Sequence, residues 1–179
     1  MLLIFVVETN EKNDSDKMYI SKYLTTRYPQ VSLDSSIVVK WVYMNGKTNY
    51  SKKGVENKVK DYKYRYDKYH PGNNDVYVIY CIDIDDLSNK DCVRLNSEVI
   101  EYCQTKQYHL IWFNKTIEHV FLGKIIHQSK NKKKESKEFL TKRMTLKDCC
   151  NQDFNVEEFS ETNIKKSNIG CILSELFGN

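Results

Sequence analysis

Two apolar runs that end in carboxylates constrain this chain more than any other feature. Leu2-Leu3-Ile4-Phe5-Val6-Val7 is closed by Glu8, and Val76-Tyr77-Val78-Ile79-Tyr80-Cys81-Ile82 is closed by Asp83-Ile84-Asp85. Neither run alternates polar with apolar, so each reads as a strand covered on both faces, as in a parallel sheet flanked by helices. The carboxyl ends of such strands open onto the crevice where open α/β sheets bind ligands. Side chains alternate along a strand, so Asp83 and Asp85 are expected to point the same way. No Lys or Arg partner is evident beside the three carboxylates in the sequence. Their mutual repulsion would be relieved by a hard cation that takes oxygen ligands, Mg²⁺ or Mn²⁺.

The remaining elements follow the same alternation. A helix is expected from Asp14 or Ser15 to about Tyr28, where Pro29 stops it. Ile37 to Met44 reads as a second strand, turned by Asn45-Gly46-Lys47. Val55 to Tyr69 reads as a helix, followed by a loop at His70-Pro71-Gly72-Asn73-Asn74. A helix from about Lys90 to Thr105 precedes a fourth strand, Tyr108 to Phe113. A last helix, Ile117 to His127, is capped by Thr116 or Asn114. Strand–helix repeated four times predicts a Rossmann-like, mostly parallel four-stranded sheet with right-handed crossovers. Residues 1–127 form this α/β domain. Residues 128–179 are expected to be a basic linker, Lys130 to Lys134, and a small helical extension that packs on the sheet. Its helical pieces fall near Lys137 to Met144, Val156 to Phe159 and Asn168 to Leu176.

Composition sets limits on function. A net charge of +4 over 179 residues does not announce a nucleic-acid binder. The first apolar run has no basic leader and is too short for a signal-peptide core, and no stretch has the length of a membrane span. The six cysteines lack metal-site spacing, so they read as free thiols of a reducing cytoplasm. No phosphate-cradling glycine loop and no nucleophile elbow is present.

Several residues carry a resemblance. Val6-Val7-Glu8, followed by a polar turn and a helix, resembles the first motif of Toprim (topoisomerase–primase) domains. Cys81-Ile82-Asp83-Ile84-Asp85 resembles their Asp-x-Asp motif. Phe113 to Leu122 resembles the Ser-Asn-Pro-x-Phe-Glu-x-Trp-Leu-Leu segment of RloB-like proteins, and Ser167 to Leu176 resembles their closing helix. Those proteins are similar to the overcoming-lysogenization-defect nucleases and occur with restriction and abortive-infection genes. The resemblance implies a Toprim-like fold and a role in anti-phage defence. It further implies that Asp83 and Asp85 hold a divalent cation, that Glu8 is a base or a second-metal ligand, and that Glu118 assists. Thr9 stands where the family usually has Gly.

Each feature also has a plainer reading. Asp85-Asp86-Leu87-Ser88 suits a turn with a helix cap. Glu118 suits the start of any helix, where the macrodipole favours a carboxylate. Lys47 reaches a phosphate or simply completes an Asn-Gly turn. Lys132, Lys133 and Lys134 contact nucleic-acid phosphates, DNA or RNA, or form a solvated basic surface. The Lys and Tyr residues interleaved from Lys52 to Tyr69 suit single-stranded nucleic acid, or a buried tyrosine stripe. Three functions follow, in descending order. The first is a metal-dependent nuclease-like phosphoryl-transfer enzyme. The second is a non-catalytic Toprim-fold adaptor for nucleic acid or a partner ATPase. The third is a receiver-like domain that accepts phosphate on Asp83.

Overall fold

The computed structural model describes residues 1–72, 75–158, 160 and 162–178, with Ser129 and Lys130 described by backbone alone. In chain order the elements are β1 (Leu2–Val7), α1 (Ser15–Arg27), α2 (Gln30–Leu33), β2 (Val38–Tyr43), α3 (Lys53–Tyr69), β3 (Val76–Asp83), α4 (Lys90–Lys106), β4 (His109–Phe113), α5 (Ile117–Leu122), α6 (Ser129–Thr141), α7 (Leu146–Cys149) and α8 (Ile169–Phe177). The sheet is Rossmann-like, with all neighbouring strands parallel and the order β2-β1-β3-β4.

That order explains why β1, and β3 before its closing Asp83, carry no charged residue. They are the two central strands, and each alternate side chain enters one of two cores. Leu3, Phe5, Val7, Ile79 and Cys81 pack with Tyr19, Ile20 and Tyr23 of α1 and with Ile169 and Leu173 of α8. Leu2, Ile4, Val6, Tyr80 and Ile82 pack with Val55 and Val59 of α3 and Val99 and Cys103 of α4. Each such apolar side chain removed from water contributes roughly 1.5–3 kcal/mol.

Strand order reverses between β1, whose chain leaves toward β2, and β3, whose chain leaves toward β4. A crevice at the carboxyl ends of these two strands is where ligands bind in sheets of this kind. The Asn45-Gly46 turn lies across it. Both residues have positive φ, 57° and 104°, which Gly adopts without strain. The Gly46 amide donates to the Glu8 carbonyl at 2.7 Å, carrying the chain from β2 over the end of β1.

The C-terminal third departs from the sequence expectation in detail. Lys130 to Lys134 is not a linker but the first turns of α6, which packs on α1, Phe139 lying 4.9 Å from the Tyr19 ring. Its lysines alternate with a face that rests on the domain, which a run without apolar residues does not reveal. Residues 156–158 are not helical. A short 3₁₀ turn over Gln152–Phe154 buries Phe154 instead, and Phe159 lies outside the described residues. α5 ends at Leu122, where Gly123 takes a left-handed cap. Just before α8, the Asn168 side chain accepts from the Trp112 N–H and donates to the Leu110 carbonyl, both at 2.9 Å. The tail thereby covers the open edge of β4. All six cysteines are free, and among the described residues no helix is long and apolar enough to cross a membrane.

Candidate functional site

Glu8 follows β1 at the carboxyl end of the sheet, and its Oε1 accepts the Asp83 backbone N–H at 2.8 Å. The first carboxylate is therefore tied to the strand end that supplies the second. Asp83 Oδ1 in turn accepts the Ile117 N–H at 2.8 Å, serving the first turn of α5. Thr116 is the N-cap of that helix, its hydroxyl accepting from the His119 N–H at 3.2 Å.

Asp83 and Asp85 do not point the same way. β3 ends at Asp83, and Asp85 has φ of 62°, a left-handed backbone that breaks the strand alternation. Its carboxylate meets the Lys47 ammonium at 2.7 Å. The sequence expectation of carboxylates without a basic partner is corrected here. Lys47 lies only 6% exposed. Its Nζ donates to the Asp83 carbonyl, to Asp85 Oδ2 and, at 3.0 Å, to Asn96 Oδ1, and it stands 3.8 Å from Glu8 Oε1. Asn96 completes the arrangement by donating to the Ile84 carbonyl at 2.9 Å. Of the three carboxylates that the sequence assigned to a metal, the lysine ammonium pairs with Asp85, lies 3.8 Å from Glu8 and meets Asp83 only through its backbone carbonyl.

A second acidic group lies on the other side of Asp83. Glu118 is wholly buried, and neither of its oxygens has a hydrogen bond among the described residues. Its charge is balanced by the Lys132 ammonium, 3.2 Å from Oε2. Asp16, in the first turn of α1, is 9% exposed and accepts the Thr9 N–H at 3.2 Å. Burial and neighbouring carboxylates disfavour ionisation of Glu8, Asp16 and Asp83. Burial, then Asp85 and Asp16, raise Glu8 to about 8 against the pull of Lys47. Burial, then Glu118, raises Asp16 to about 6. Burial, then Glu8, Asp16 and Glu118, lifts Asp83 well above the carboxylate range. Burial pulls the Lys132 ammonium down, but Glu118, Asp83 and Asp16 outweigh it and hold its pKa above the ordinary lysine value.

The other residues singled out from sequence are placed as follows. Lys133 Nζ donates to the Lys12 carbonyl at 2.5 Å, and Lys134 pairs with Glu138 at 3.7 Å on the surface. With Lys132 turned inward, the basic run is not a continuous phosphate track. Asp86 forms a turn, its Oδ1 accepting from the Ser88 N–H, and Asn89 is the N-cap of α4. His119, beside Glu118 in α5, is buried, and burial followed by Lys165 and Lys115 lowers its pKa.

Asp16 and Asn96 were not legible as site residues. Asp16 reads as an ordinary acidic helix start. Asn96 carried a usable signal, because it occupies the same apolar stripe as Val99 and Cys103. A polar residue on a buried stripe demands a partner, and Lys47 is that partner.

The donor set is chemically suited to a hard divalent cation. Among the described residues, no three His, Cys, Asp or Glu side chains stand where they could share one ion. Mg²⁺ is commonly held by one or two carboxylates plus substrate phosphates. Glu8 and Asp83, joined through the Asp83 amide, are two carboxylates at neighbouring strand ends. Asp85 is engaged by Lys47. Comparison of the chain with protein-family models, with curated proteins and with solved structures finds no match.

Proposed function

We propose that this chain is a phosphodiester-cleaving enzyme of the Toprim type, working on nucleic acid with Mg²⁺ or Mn²⁺ at the carboxyl ends of β1 and β3. One observation carries the reading: Glu8 and Asp83, far apart in the chain, meet at the point where the strand order reverses, with Glu8 Oε1 2.8 Å from the Asp83 amide. Glu8 and Asp83 would hold the ion, which when bound supplies Lewis-acid stabilisation to the phosphodiester oxygens. Lys47 keeps the end of β3 fixed by gripping the Asp83 carbonyl and Asp85. Lys132 is paired with Glu118, so the phosphate's charge would be met chiefly by the bound ion. The resemblance to RloB-like proteins supports a setting in anti-phage defence.

The test is cleavage of labelled DNA and RNA with Mg²⁺ or Mn²⁺. The Asp83→Asn variant keeps the acceptor for the Ile117 N–H and removes the charge, so its products should vanish. Cleavage that survives this change, with the fold intact, refutes the proposal. A second reading is an adaptor that binds nucleic acid or a partner ATPase without catalysis. It is favoured by Lys47, whose ammonium already neutralises Asp85 and approaches Glu8. An adaptor would bind labelled nucleic acid and cut none of it with either metal.

A further inference from the structure

A second cavity lies at the opposite end of the sheet, against the first residues of β1 and β2 and the C-terminal half of α3. Its volume is about 260 Å³. The walls are Tyr62, Tyr66, Tyr69 and His70, with Lys40 and Arg65 beside them, and no carboxylate lines it among the described residues. The tyrosines of α3 are not one buried stripe. Val55, Val59 and Tyr66 make the buried face, Tyr62 is half-buried, and Tyr69 is 73% exposed. An aromatic ring left in water beside a cavity is open to another ring.

The rings are already arranged around cations. Tyr66 and His70 stack at 4.5 Å between centroids. Lys40 Nζ lies 5.9 Å from the centre of Tyr62, and Lys68 Nζ lies 5.8 Å from the centre of Tyr69. The Tyr66 hydroxyl is buried without a hydrogen-bond partner among the described residues. With no accessible surface, that hydroxyl belongs to the wall of the cavity rather than to its ligand contacts.

We infer that this cavity binds a nucleotide unit, its base stacked on the exposed Tyr69 and His70 rings and its phosphate on Arg65 and Lys40. Stacking faces flanked by cations are the recognition chemistry for unpaired nucleotides, because every base has a π-face and every phosphate a charge. The volume, about 260 Å³, is below the ~300–1,000 Å³ of drug-sized pockets, so it takes the base of one nucleotide and leaves the sugar and phosphate at its cationic rim. The cavity stands roughly 17 Å, one strand length, from the acidic crevice. It therefore acts separately from the reading given for Glu8 and Asp83. The nucleotide can come free in solution or as part of a single strand.

The experiment uses the full chain with the Asp83→Asn change, in EDTA, so that cleavage and metal binding do not enter. Fluorescence anisotropy follows a labelled oligothymidylate, and calorimetry follows AMP. Saturable binding of either probe is expected. Tyr69→Ala and Arg65→Ala, both surface changes, should each weaken it about tenfold, while Tyr69→Phe, which keeps the ring, should preserve it. Equal affinity for AMP and the oligomer would assign the cavity to free nucleotides. Much tighter oligomer binding would assign it to a single strand. Failure of both probes to bind, or affinity unchanged in Tyr69→Ala and Arg65→Ala, overturns the inference. Neither result bears on the metal-dependent reading of the crevice.

Discussion

The Lys47 ammonium sits 2.7 Å from the Asp85 carboxylate, at the one place where the sequence alone points to a metal ion. This pairing divides the acidic residues into two sets. Asp85 is neutralised from within the chain. Glu8, Asp83 and Asp16 keep raised pKa values, so they retain protons that a bound cation would displace.

Lys47→Met should destabilise the fold by about 2–3 kcal/mol in chemical denaturation. Removing one partner of a fully buried pair costs about 3–5 kcal/mol, and the figure here is lower because the Asp85 side chain is 42% exposed. The same change strips Asn96 Oδ1 and the Asp83 carbonyl of their donor. A loss under about 0.5 kcal/mol would show that the pairing is a solvated surface contact.

Stability in metal-free buffer should fall as pH rises from about 4 to about 8. Glu8 moves from an ordinary 4.5 to about 8, and Asp16 from 3.8 to about 6. The folded protein therefore holds protons that the unfolded chain has released, and raising the pH favours unfolding across that window. The contribution is complete below the unfolded values and gone above the folded ones. Melting temperatures recorded against pH check this. Glu8→Gln, which keeps the acceptor for the Asp83 amide, should flatten the profile between about pH 6 and 8. An unchanged slope in that variant would contradict the assignment.

Gly170→Ala should cost about 1–3 kcal/mol by overpacking, despite the better helix propensity of Ala. A Cβ at this position in α8 would meet the Asn155 side-chain amide and, at 2.8 Å, the Phe154 carbonyl oxygen. Urea unfolding of the variant measures the loss. A neutral effect would mean that the segment over residues 152–155 yields easily.

How much of this was legible depended on whether the signal was local. The runs Leu2–Val7 and Val76–Asp83 declare buried parallel strands because both faces are apolar, and the helices between them follow from their punctuation. Lys47 was visible as a residue but not as a buried cation. Its partners Asp85 and Asn96 lie far along the chain, and only the strand order brings them to it. Asp85 was misjudged because strand alternation was extended past the residue where β3 ends. The lysines of α6 hid a helix, since the apolar contacts that fold it, Tyr19 against Phe139, come from another element. The joining of Glu8 to Asp83 followed directly from two strand ends in one parallel sheet.

Binding of Mn²⁺, read as a shift in melting temperature, tests the central claim most directly. At a concentration about a hundred times the Kd, the ion should stabilise the folded protein by about 2.7 kcal/mol, or about 5–10 °C for a chain of this size. The shift should be larger above about pH 8 than at about pH 6, because the carboxyls must lose their protons to bind. Asp83→Asn should abolish it. No saturable shift in the unaltered protein, or the same shift in Asp83→Asn, would contradict the account of Glu8 and Asp83 as a cation-holding pair.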